Sequence, residues 1–377
     1  MFGVIIFIHE LGHFIAAKCT GVRVNEFAMG MGPKLFSFGK KETVYSLRLF
    51  PIGGFCAMEG EDEGAPTPSA FGGNGDRKTL PPEEENIVPS SREKSSRSFA
   101  EKRVWQRVII VVAGAFMNLV LGFALLLAYC GICTLPNENG DRLYATSTIY
   151  GFHQNALSEQ SGLEVGDTIL QVDGKIVLTD MDLASILQSD KDGVFSFTVR
   201  RNGERITLPN VQFELQKNEE TGKQALIYDF ILVGQPQTFG NTITQAAKME
   251  GSVAMMVWRS LGSILTGEYG LNDLSGPIGT VDIIGQVVDN AVTQSRWQAG
   301  LGSVLMLLAM ITVNVGVFNL LPVPALDGGR LIFLLYEAVT RRPVPAKYEG
   351  IVHLVGMVLL LLLMVIIAFS DIRKLIG

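Results

Sequence analysis

The run His9-Glu10-Leu11-Gly12-His13 sets two imidazoles four residues apart with a carboxylate beside the first. On a helix this spacing puts both rings on one face, able to grip a single metal ion, with Glu10 a step round and near a metal-bound water. Hydrolytic sites with two histidines and a carboxylate favour zinc, which lowers the pKa of its bound water to about 7 while the glutamate takes the proton. A catalytic zinc needs a third protein ligand and an open position. Asp327, in Asn319-Leu320-Leu321-Pro322-Val323-Pro324-Ala325-Leu326-Asp327-Gly328-Gly329-Arg330, is the candidate.

The elements that must carry these residues are apolar. Of 377 residues, 47% are hydrophobic and 18% charged, a balance that fits a membrane-embedded enzyme better than a soluble one. The net charge of −6 removes the electrostatic case for binding nucleic acid, so the expected surroundings are membrane lipid. Four cysteines are too few for a disulfide-stapled secreted module. Four stretches have the length and polarity of membrane spans: 2–17, 108–132, 299–326 and 351–369. The first lacks the basic start of a cleaved signal peptide and contains His9, Glu10 and His13. A charge in mid-membrane costs about 2.5–3.5 kcal/mol on insertion scales, so three ionisable groups in five residues point to a shared ligand. The third stretch has 28 residues, about 42 Å of helix against a hydrocarbon core of roughly 30 Å. It must tilt or break, and Pro322 and Pro324 mark the break that delivers Asp327.

Lys18, Arg23, Lys34, Lys40 and Lys41 after the first span, with Lys102, Arg103 and Arg107 before the second, place the 18–107 loop in the cytoplasm. Both termini and the long region 134–298 then lie outside. Residues 61–98 are rich in Pro, Gly, Ser and charge and read as a disordered cytoplasmic insertion. Residues 24–57 alternate apolar runs with turn-prone residues and read as hairpins. An exposed strand edge there would let an unwound substrate pair as an added strand. Asn118, inside the second span, reads as an interhelical hydrogen-bonding residue, and His353 in the fourth as a satisfied packing residue. Cys130 and Cys133 have redox spacing without the surrounding βαβ pattern, so no redox chemistry is expected.

His9-Glu10-xx-His13 on a first span and Asn319-xx-Pro322-xxxx-Asp327-Gly328 on a later one resemble the site-2 protease family of intramembrane zinc metalloproteases, in its bacterial branch of regulator-of-sigma-E proteases. Phe27-Ala28-Met29-Gly30-Met31-Gly32-Pro33, Phe50-Pro51-Ile52-Gly53-Gly54-Phe55, Ala113-Gly114-Ala115-Phe116-Met117-Asn118 and Leu274-Ser275-Gly276-Pro277 extend the likeness over most of the chain. The resemblance implies one zinc held by His9, His13 and Asp327, Glu10 as general base, and Asn319 beside the metal helping to hold substrate. It also implies a membrane-reentrant β-loop at 24–57, where Gly30 and Gly32 complete the expected substrate-binding set. Members usually carry more apolar residues before the first metal-binding histidine than the eight seen here.

Ser161-Gly162-Leu163-Glu164-Val165-Gly166-Asp167-Thr168-Ile169-Leu170-Gln171-Val172-Asp173-Gly174 resembles the core signature of bacterial PDZ domains, which bind extended peptides by strand addition. Here it reads equally as a peptide binder or a steric gate. Residues 242–265 form an amphipathic stretch suited to the membrane boundary.

The expected architecture is a polytopic α-helical membrane protein with four transmembrane helices, a membrane-associated β-hairpin region and one extracytoplasmic PDZ-like α+β domain. Its parts are the first helix with the metal motif at 1–20, the reentrant β-loop at 21–60 and the insertion at 61–98. The second helix follows at 99–133, the PDZ-like domain at 144–217 and an amphipathic, juxtamembrane region at 240–298. The third helix with the third ligand spans 299–330, and the fourth 350–370. The expected activity is that of a bacterial plasma-membrane zinc endopeptidase cutting single-span proteins in or near their membrane segments after a site-1 protease has trimmed them. Family resemblance points to anti-sigma factors and signal-peptide remnants. The competing reading is a catalytically idle membrane scaffold that holds clients through the PDZ-like domain; the intact Glu10 counts against it.

Overall fold

The computed structural model describes residues 2–39, 42–61, 96–134, 136, 139–189, 192–217, 224–267, 277–293 and 297–376. The expected insertion at 61–98 therefore lies outside the described residues apart from its ends. In chain order the elements are α1 (Phe2–Cys19), β1 (Val24–Phe38), β2 (Val44–Met58), α2 (Val104–Ala128) with a π-helical turn at Tyr129–Cys133, β3 (Leu143–Phe152) and α3 (Leu157–Gln160). Then come β4 (Thr168–Val172), β5 (Lys175–Ile176), α4 (Asp180–Ser189), β6 (Val194–Arg201), β7 (Glu204–Gln212), β8 (Leu215–Lys217), β9 (Gln224–Leu226) and β10 (Phe230–Pro236). Five helices end the chain: α5 (Phe239–Thr266), α6 (Pro277–Thr293), α7 (Trp297–Asn319), α8 (Asp327–Thr340) and α9 (Ala346–Ile376). Among the described residues four helical stretches, Phe2–Cys19, Val104–Cys133, Trp297–Asn319 and Lys347–Arg373, are long and apolar enough to cross a membrane. The chain forms two compact units, one of Met1–Leu121, Leu274–Gly279 and Ile311–Gly377, the other of Gly122–Asp273 and Thr280–Met310.

In the first unit α1 and α2 approach so closely that a Cβ on Gly12 would sit 2.3 Å from the Ala113 carbonyl oxygen. Small residues at helix crossings permit this in a medium where apolar burial cannot drive association. The strands β1 and β2 each bend back on themselves. Ala28 pairs with both Phe55 and Ser46, and Ser37 also pairs with Ser46. Four short runs result, in the order 54–58, 24–29, 44–48, 34–38. Outward from their core, Met31, Leu35, Phe36, Phe38 and Phe50 are exposed, an apolar patch that marks a contact surface rather than a water-facing one.

The third apolar run does not continue as one helix to 326: α7 stops at Asn319. Pro322 and Pro324 lack the N–H a helix needs and disfavour helical geometry in the residue before them. Asp327 consequently opens a separate helix, α8. Gly328 and Gly329 follow because there is no room for side chains: a Cβ at 328 would lie 2.0 Å from the Leu321 carbonyl oxygen, and one at 329 would lie 2.6 Å from that of Val323.

The second unit holds an antiparallel sheet in the order β10-β3-β4-β6-β7, with β5 paired to β4. The sheet reaches beyond 144–217 to take in β10, which pairs with β3 from Phe230↔Phe152 to Pro236↔Leu143. Phe195, Phe197, Ile169, Leu183 and Leu187 fill its core. In its Gly-Asp turn, buried Asp167 receives Arg201 Nε at 2.8 Å and Nη2 at 2.7 Å, a bidentate charge-assisted pair. The Tyr228 phenol oxygen is buried without a hydrogen-bond partner among the described residues. Burial first, and the nearby Asp180 carboxylate second, push its pKa up to about 12. Helix α5 packs on α4 through Arg259 and Ser252, both bonded to buried Asp182.

Candidate metal centre

His9 and His13 lie one turn apart on α1, and both are buried. Their Nε2 atoms are 3.2 Å apart. Asp327 Oδ2, at the N-terminus of α8, lies 3.0 Å from His9 Nε2 and 3.3 Å from His13 Nε2. The three atoms form a nearly equilateral triangle. A tetrahedral zinc with bonds of about 2.0–2.2 Å holds its donors roughly 3.3–3.5 Å apart, so the triangle fits one zinc face to within a few tenths of an ångström.

The hydrogen bonding around the triangle orients both imidazoles. His13 Nδ1 is 2.8 Å from the Ile110 carbonyl oxygen, to which it donates, leaving the Nε2 lone pair toward the triangle. Asn118, fully buried, places its carboxamide Nδ2 3.3 Å from His9 Nδ1, while its Oδ1 has no partner among the described residues. Half a turn of the carboxamide exchanges its O and N and lets His9 Nδ1–H donate to Oδ1, which satisfies both groups. Both Nε2 atoms then offer lone pairs to a buried carboxylate oxygen that is within ion-pair distance of each but accepts no well-directed hydrogen bond. Three such atoms, all within 3.3 Å of one another, could hold a metal ion.

Ile110, Gly114 and Asn118 recur every four residues along one face of α2, which supplies this supporting layer. A Cβ on Gly114 would lie 2.3 Å from His13 Nε2 and 2.8 Å from His9 Cε1. Only glycine leaves the imidazoles their place. Asn118 was read above as an interhelical hydrogen-bonding residue, and so it is: its partner across the α1–α2 contact is His9. The signal was its four-residue spacing from Gly114, the period that His9 and His13 themselves follow.

Of the other expected residues, Glu10 sits beside the sheet: a Cβ on Gly54 would be 3.2 Å from Glu10 Cγ. The run 54–58 thus passes next to the carboxylate, and among the described residues its only strand partner is 24–29. Gly30 (φ 85°) and Gly32 (φ 88°) lie at the bend of β1. Their near neighbours are the Phe50 backbone and ring, so the structure does not gather them with the triangle. Asn319 is the last residue of α7, partly buried, at the mouth of the turn leading to Asp327. His353 on α9 accepts a hydrogen bond from the Ala325 N–H at 2.9 Å; its other ring nitrogen is buried and unpartnered among the described residues, so it is only half satisfied. Cys130 and Cys133 are free thiols.

Two histidines on a helix able to span a membrane, a glutamate between them and an aspartate from a second helix closing a triangle that could hold a metal ion point to a class: the site-2-type zinc metalloproteases. The chain belongs to peptidase family M50, whose family model matches residues 1–363. It is 34% identical to the putative zinc metalloprotease CPE1693 of Clostridium perfringens, over 98% of this chain and 96% of that one. Identity to the zinc metalloprotease RasP of Shouchella clausii is 30%, over 100% of this chain and 97% of that protein. The regulator of sigma-W protease RasP of Bacillus subtilis is 27% identical, with the same coverage of 100% and 97%. The chain is accordingly a membrane-integral zinc metalloprotease.

Proposed function

We propose that this zinc metalloprotease cuts single-span membrane proteins in or near the bilayer, with one zinc held by His9, His13 and Asp327 and Glu10 as general base. The observation that carries the reading is the triangle of His9 Nε2, His13 Nε2 and Asp327 Oδ2 with edges of 3.0–3.3 Å. When bound, zinc supplies Lewis acidity at the scissile carbonyl. Glu10 takes the proton of the attacking water and returns it to the leaving amine. Ile110 and Asn118 fix the two imidazole tautomers, and the N-terminal end of α8 favours the ionised Asp327.

A helical substrate hides its carbonyls in its own hydrogen bonds, so it must unwind first. The run 54–58 offers an edge beside Glu10 that is unpaired among the described residues, and on it an unwound segment can add as a strand. Asn319 at the turn before Asp327 completes the hold on substrate. The exposed apolar side chains of β1 and β2 support placing this sheet at membrane depth.

Basic residues put the 18–107 loop on the cytoplasmic side of a bacterial plasma membrane, and the metal centre toward that side. The sheet of the second unit, PDZ-like by its Gly-Leu and Gly-Asp turns, then lies outside. Its strand β3 packs beside α4 with β10 on one edge and β4 on the other. That occupancy favours a steric gate over strand addition at β3. Substrates are then single-span proteins already shortened by a site-1 protease, with anti-sigma factors and signal-peptide remnants as the leading classes.

The test is cleavage of a synthetic single-span peptide in lipid vesicles by wild type and by Glu10→Gln. Wild type should cut and the variant should not; equal rates would remove Glu10 as base. An enzyme lacking the gate should also cut untrimmed proteins that the full chain spares.

A further inference from the structure

We propose that His353 is a positioning residue for the metal centre, holding the Val323-Pro324-Ala325 turn that sets Asp327 against His9 and His13. The proposal rests on the ligand assignment above. Ala325 has φ +78°, a left-handed conformation that an L side chain adopts only when its surroundings impose it. Two residues later α8 begins at Asp327, so the direction of this turn decides where the carboxylate goes.

Two contacts from α9 impose the conformation. His353 Nδ1 accepts the Ala325 N–H at 2.9 Å. One turn further along, a Cβ on Gly356 would lie 2.3 Å from Pro324 Cβ and 2.9 Å from its carbonyl oxygen, so α9 lies flush against the turn. The Phe333 ring of α8 stands 5.8 Å from the imidazole, centroid to centroid, and packs beside it. Because Nδ1 is the acceptor, the proton is on Nε2, which is buried with no partner among the described residues. A residue present only to fill space would carry no such unsatisfied N–H. The hydrogen bond to Ala325 is what the imidazole gains in return.

The experiment loads the full-length protein with zinc in lipid nanodiscs, equilibrates it with graded EDTA, and measures retained zinc by elemental analysis. His13→Ala should be empty at the lowest chelator. His353→Phe should release zinc at about 10- to 100-fold less chelator than wild type, the usual size for groups that orient metal ligands. Adding Ala325→Gly to His353→Phe should restore most of the loss, since glycine takes the left-handed conformation without strain. A His353→Phe midpoint equal to wild type would overturn the proposal, as would a loss that Ala325→Gly fails to restore. If His353→Phe does not fold, Ala325→Val decides: lower zinc retention supports the role and an unchanged midpoint overturns it. Zinc retained by His13→Ala would sink the ligand assignment and this role with it. Zinc lost from His13→Ala but kept by His353→Phe would sink the role alone.

Discussion

Aspartates do opposite things in the two units. In the sheet unit Asp167 and Asp182 are fully buried, and each has a guanidinium: Arg201 at 2.7–2.8 Å and Arg259 at 2.9 Å. Backbone N–H groups complete both, from Glu164 for one and from Leu178 and Thr179 for the other. In the membrane unit Asp327 faces two imidazoles whose other nitrogens are directed to Ile110 and Asn118, and its Oδ2 accepts nothing. A carboxylate neutralised by arginine is finished and serves the fold. One set among imidazole lone pairs is unfinished, and on the proposed assignment the charge that completes it is the metal's. On that reading the chain trades stability without metal for a site that binds it.

The largest effects test the metal side. Replacing Glu10 by Gln should lower peptide cleavage by about 10²–10⁴-fold, the usual worth of a general base, while zinc content measured by elemental analysis stays at wild type. Loss of zinc together with activity would make Glu10 a structural member of the site. Next comes the contrast itself. Removing Arg201 (Arg201→Met) leaves Asp167 buried and unpaired, which should cost about 3–5 kcal/mol in denaturant unfolding. In metal-stripped protein Asp327→Asn should instead change the thermal midpoint little, because the carboxylate then faces only imidazoles that can share a proton with it, not a fixed guanidinium. A fall in that midpoint comparable to the Arg201 effect would end the distinction drawn here.

A smaller effect belongs to the layer behind the ligands. Gly114→Ala puts a methyl where the two imidazoles meet, so zinc affinity should fall by about 10- to 100-fold in chelator competition. Wild-type affinity would mean that α1 and α2 separate freely. The close contact of Gly12 with the Ala113 carbonyl argues that they do not.

These two regions were not equally legible in the sequence. The motifs that converge in the triangle were readable because metal chemistry demands particular residue types: two histidines four apart, and an Asp-Gly-Gly after two prolines. That α7 ends at Asn319 and Asp327 heads a new helix was half readable, since the prolines announce a break but not the geometry after it. Asn118 was readable as an interhelical hydrogen-bonding residue, but its partner His9 and the contact of His353 with Ala325 were hidden, because they lie 109 and 28 residues away, and a lone polar residue in an apolar run looks the same whether it packs or orients. Strand β10 escaped the 144–217 boundary for a similar reason: an edge strand joined over a long excursion leaves no local signature of its partner.

The smallest effect asks whether the sheet unit is as completely satisfied as its aspartates suggest. Tyr228 is the exception, its phenol oxygen buried without a partner among the described residues. Tyr228→Phe removes that oxygen and should stabilise the protein by about 1 kcal/mol near neutral pH, against a small loss of packing. The pH dependence gives a second check. With its pKa pushed up to about 12 by burial and by Asp180, the folded phenol keeps its proton when the unfolded one, at about 10, has lost it. The unfolded state therefore binds fewer protons between pH 10 and 12, and wild-type stability falls as pH rises through that window. The variant lacks this component, so its advantage should widen from pH 10 to 12. A constant difference would mean that the Tyr228 hydroxyl meets water or a hydrogen-bond partner in the folded protein, and that the sheet unit leaves no polar atom unfinished after all.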